Sequence, residues 1–69
     1  MDTNTKKAIE SFVWDCTVGA GVDPDECSNE PDGDVLKALS HILGRKLTGE
    51  DIDVCVRAWT KCLQEIAQP

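Results

Sequence analysis

No run of about 18 apolar residues occurs in this chain, so it offers no helix able to span a bilayer. The opening MDTNTKKAIESF lacks the apolar core of a signal peptide, and a cytoplasmic setting is expected from it. A secreted mature product carrying an added Met is the alternative. No CxxC pair is present, and the spacings C-x10-C and C-x6-C fit no zinc pattern. No glycine-rich phosphate loop appears, which removes the usual nucleotide-binding signatures. His41 is the single imidazole, and only Phe12, Trp14 and Trp59 are aromatic. Basic residues are few as well, seven against thirteen acids for a net charge of −6.

The acids are unevenly placed. Residues 1–34 hold Lys6 and Lys7 against nine acids, a net of −7, while residues 35–69 carry a net of +1. Most of the excess lies in VDPDECSNEPDGD. Such a field repels nucleic acid phosphates and attracts basic partners. Sixty-nine residues make one domain, 1–69, near the lower limit for a chain that folds alone. A supporting device is therefore expected: disulfides, a metal or self-association.

What the chain does have is helical periodicity. From Leu47 to Ile66, the residues Ile52, Cys55, Val56, Trp59, Cys62, Leu63 and Ile66 fall in one stripe at about 100° per residue. Thr48 suits the N-cap, with Asp51 three residues on as the short form of a capping box and Leu47 and Ile52 as a hydrophobic staple. A first helix is expected from about Asp2–Thr5 to Val18, with Ile9, Phe12, Val13 and Cys16 inward and Gly19 and Gly21 ending it. A second runs from Pro31 or Asp34 to Leu43, with Val35, Leu36, Leu39, Ile42 and Leu43 apolar and Gly44 as its stop. Between the first two lies an acidic loop, with a single turn at Asp23-Pro24-Asp25-Glu26. The short link Gly44–Leu47 makes the second and third helices antiparallel or steeply crossed neighbours. The expected fold is all-α, a small three-helix bundle, with a homodimer as an option.

Trp14 does not fit its stripe. With Val18 it faces away from Ile9 and Val13. Either the 20–31 loop wraps far enough to cover it, or Trp14 and Val18 belong to a dimer or partner interface, where large exposed aromatics concentrate.

Each chemical option carries a plainer alternative. Cys55 and Cys62 are seven residues apart on one helix, roughly 10.5 Å along the axis, too far for a bridge or one zinc ion. If bridges form, Cys16 and Cys27 pair with Cys55 and Cys62 in one of two ways. The plainer reading makes Cys16, Cys55 and Cys62 small core residues. A calcium loop read from Asp23 places Cys27 fifth, Ser28 sixth and Asp34 twelfth, so the EF-hand pattern fails and no metal is expected. As a helix-turn-helix, the last two helices would present Glu50, Asp51 and Asp53 to phosphates, which argues against direct DNA binding. His41 has no local nucleophile pair, and the loop carboxylates have no aromatic wall, so neither catalysis nor a cofactor is expected.

In size and charge alone, the chain resembles short, acidic, helical proteins that phages and other mobile elements make to disable a host protein. That resemblance implies an inhibitor or adaptor that docks on another protein with a basic surface, and assigns no residues. The candidate partner-binding residues, chosen from the sequence, are Trp14, Val18, Asp23, Asp25, Glu26, Glu30 and Asp32. Two alternatives stand: a secreted, disulfide-stapled helical effector, and an acidic mimic of DNA.

Overall fold

The computed structural model describes residues 1–67 and contains three helices: α1 (Thr3–Cys16), α2 (Gly33–Leu43) and α3 (Gly49–Ala67). No strand occurs among the described residues, and none of their helices is long and apolar enough to cross a membrane. The fold is all-α.

Each helix begins on a side-chain oxygen that meets a backbone N–H the first turn leaves free. Asp2 accepts from Thr5 N at 2.7 Å, and Asp32 accepts from Val35 N at 3.0 Å. At α3 the exchange is reciprocal. Thr48 N donates to Asp51 Oδ2 at 2.8 Å, while Asp51 N donates to Thr48 Oγ1 at 3.2 Å. The capping box is present, with Asp in place of the usual Glu or Gln. Gly44 ends α2 at φ 69, a left-handed geometry that costs a glycine little, and Arg45 N then reaches Ser40 O at 3.2 Å.

The core consists of Ile9 and Val13 from α1, Leu39 from α2, and Cys55, Trp59, Cys62 and Leu63 from α3. Thr17 is also buried; its Oγ1 donates to Val13 O at 2.8 Å, which closes α1 two residues earlier than the expected Val18. The α1 and α3 helices pack closest and run the same way. The Met1 amino group pairs with Glu50 at 2.9 Å, and Trp14 near the end of α1 lines a groove with Cys62 and Glu65 of α3.

Two sequence expectations need correction. Ile52, placed on the inner stripe of α3, is 38% exposed, while Val54 and Ala58 pack against the core instead. The buried face of α3 is turned toward α1, the neighbour lying along it. Ile42, placed on the inner face of α2, is 57% exposed. Leu39 is the centre of contact there, with Val35, Leu36 and Leu43 half-buried, so only part of a broad apolar arc is covered. The short link leaves α2 and α3 with few close approaches, as expected of steeply crossed rather than antiparallel neighbours.

Candidate functional site

The middle segment settles which tryptophan is covered. Trp59 Nε1 donates to Ser28 O at 3.0 Å, and this ties the 22–31 segment to α3. Val22 and Cys27 pack on the core from the same segment, and Pro31 is buried. Inside it, Asp23 O accepts from Glu26 N and Cys27 N at 3.0 and 2.9 Å, and Asp23 Oδ1 accepts from Asp25 N at 2.9 Å. The segment is therefore an ordered single turn whose apolar residues face inward.

Trp14 stays outside this cover. It is 46% exposed and stands in a groove of about 140 Å³ with Glu10, Ala58, Lys61, Cys62 and Glu65. The loop meets α3 elsewhere, around Thr60, Leu63, Gln64 and Ala67. At about 100° per residue, these two sets of α3 residues point roughly 160° apart. The structure therefore places the Trp14 groove and the acidic loop on opposite flanks of α3.

The remaining candidates divide accordingly. Val18 is half-buried and packs against the core, so it adds little to the surface around Trp14. Asp23 and Asp32 have local duties, in the loop turn and at the cap of α2. Asp25, Glu26 and Glu30 are exposed, and none of the loop acids forms an ion pair among the described residues. They make a solvated acidic edge beside α3.

All four cysteines carry free thiols: Cys55 and Cys62 are buried, Cys16 and Cys27 half-buried. Burial pushes the Cys16 and Cys55 thiols up, away from the thiolate form that attacks or ligates. His41 lies on the outer side of α2 with Asp34 and Lys37, whereas the four cysteines belong to or pack on the core.

One buried polar cluster was invisible in the sequence. Asp51 is 1% exposed, and its carboxylate accepts Arg45 Nη2 at 3.0 Å, Arg45 Nη1, and Thr48 N at 2.8 Å. The Arg45 guanidinium, followed by the Thr48 N–H, holds the carboxyl well below the usual carboxylate range. Ser40 Oγ donates to Arg45 O at 2.6 Å and braces the same corner. Asp51 was legible as a cap partner; Arg45, six residues upstream, belongs to no helical pattern that could have flagged it. With its oxygens committed, Asp51 serves the fold.

No family model, curated protein or solved structure matches the chain. Its function must be reasoned from its own surface.

Proposed function

We propose that this protein acts without catalysis by docking on another protein, as an inhibitor or adaptor of the kind mobile elements direct at a host. Half-exposed Trp14 carries this reading. A tryptophan held in a groove by two packed helices offers a large, rigid contact area at little cost in side-chain entropy. Glu10, Lys61 and Glu65 supply a polar rim around it.

The acids belong to a different part of the encounter. Lying across α3 from Trp14, Asp25, Glu26 and Glu30 act at a distance, drawing a basic partner toward the protein and raising the rate of encounter. The contact residues are Trp14, Glu10, Lys61 and Glu65. A net charge of −6 favours a partner with a basic surface.

The experiment is a paired capture from the source cell. Tagged wild type and Trp14→Ala are used as bait, and circular dichroism verifies that both have the same helicity. The reading predicts a partner retained by wild type and lost with Trp14→Ala. If both baits retain the same proteins, the Trp14 reading is wrong. If binding is insensitive to Trp14 but collapses steeply with added salt, the acidic mimic of DNA takes its place.

A further inference from the structure

The second helix turns a self-complementary face to solvent. Ile42, at 57%, is the most exposed large hydrophobic among the described residues. Exposed Ala38, four residues earlier, extends it into a short stripe, while half-buried Val35 at its edge packs against the core. An open, shallow concavity lined by Asp34, Lys37, Ala38, His41 and Ile42 runs along it, and no other element of the fold lines that concavity.

The charges around the stripe are ordered along the helix. Asp32 caps the N-terminal end and Asp34 lies in its first turn, while His41 sits in the last turn and Lys46 follows the helix. Asp34, Lys37, His41 and Lys46 form no ion pair among the described residues. Asp34 and His41 are seven residues apart, so they share one edge of the helix, about 20° out of line. The level midway between them is that of Ala38, the smallest side chain of the stripe and the one that allows the closest approach.

We infer that the outer face of α2 pairs with the same face of a second copy, antiparallel about a two-fold axis at the level of Ala38. The axis sets each Asp34 opposite the His41 of the other copy and packs the two Ile42 side chains against the facing stripes. The dipole ends oppose in the favourable sense. A uniformly basic partner would match only the acidic end of α2 and an acidic one only its basic end. An antiparallel copy matches both. The interface is isologous, so it closes at two copies and leaves both Trp14 grooves free, because the two surfaces share no lining residue. A face one short helix wide lies at the low end of interface sizes, so the dimer is weak and reversible.

Sedimentation velocity tests this on the full chain, from about 10 µM to about 1 mM, the range in which so small an interface operates. The mass should rise from 7.5 kDa toward twice that value, reversibly on dilution. Ile42→Glu should remain monomeric throughout with unchanged helicity, since the side chain already lies outside the core. His41→Asp sets two carboxylates opposite one another and Asp34→Lys removes the carboxylate facing His41; each alone should weaken association roughly tenfold, and the double swap should recover most of the loss. Trp14→Ala should dimerise as wild type does. A monomeric wild type at the highest concentration overturns the inference. So does a dimer that survives Ile42→Glu, or one abolished by Trp14→Ala instead. Failure of the double swap to recover association rejects the antiparallel register.

Discussion

The two tryptophans, Trp59 on α3 and Trp14 on α1 beside it, have met opposite fates. Trp59 is 4% exposed beneath the 22–31 segment, and its indole N–H is satisfied by a carbonyl 31 residues away. Trp14, on the α1 side, is 46% exposed with only a groove beside it. Chemically they are the same side chain on similar amphipathic helices. The difference lies in where the connecting segment runs. Val22, Cys27 and Pro31 turn inward on one flank, so that flank is closed and the one beside Trp14 stays open.

This contrast breaks most directly at Trp59. Trp59→Ala removes a buried aromatic and the anchor of the loop, and should cost about 3–5 kcal/mol in a urea titration. A loss below about 1 kcal/mol would mean that the loop does not depend on this indole.

The corner at Asp51 lies on neither flank and gives the next largest effect. Asp51→Asn should lower the melting temperature, because Arg45 and the Thr48 N–H then lose the charged acceptor they share at the buried Asp51 position. The pH dependence follows with a definite sign. The folded-state carboxyl is depressed below its unfolded value of about 4, so its stabilisation is complete above that pH and is lost as pH falls through and below it. The variant should show a shallower acid limb in thermal melts recorded from neutral to acid pH; an unchanged limb would assign acid unfolding to other carboxylates.

Trp14→Ala sharpens the comparison from the other side. It should change stability by less than about 1 kcal/mol while removing partner capture, since a half-exposed ring contributes less to folding than a buried one. A cost equal to that of Trp59→Ala would erase the distinction between the two flanks. The smallest effect belongs to the acidic edge. Replacing Asp25, Glu26 and Glu30 together with serine should leave stability within about 0.5 kcal/mol, slow association with the captured partner and flatten its salt dependence. A large rise in the dissociation rate instead would put these acids in the contact itself.

Much of the fold was legible in the residues. Thr48 as a cap, Gly44 as a stop, and the inward period of Cys55, Trp59 and Cys62 all express local rules that three-dimensional context rarely overrides. Ile42 and Ile52 were misplaced because apolar character marks a residue as able to be buried without saying that anything arrives to bury it. Arg45 went unnoticed because a long side chain reaching back from a loop to a cap leaves no periodic trace. For the candidate surface, Trp14 was identifiable as a misfit, and the acids as a separate charged stretch. The path of the chain around α3 separates them.

Sequence by itself determined that this protein has three helices, roughly where each lies, and which side of each is apolar, because caps and periodicity act within a few residues. Only the tertiary structure decided which apolar positions were covered, that one tryptophan was roofed and the other left open, and that the acids stand apart from the open one. A helical period sets the direction a side chain takes from its axis, but what stands in that direction depends on contacts between residues far apart along the chain.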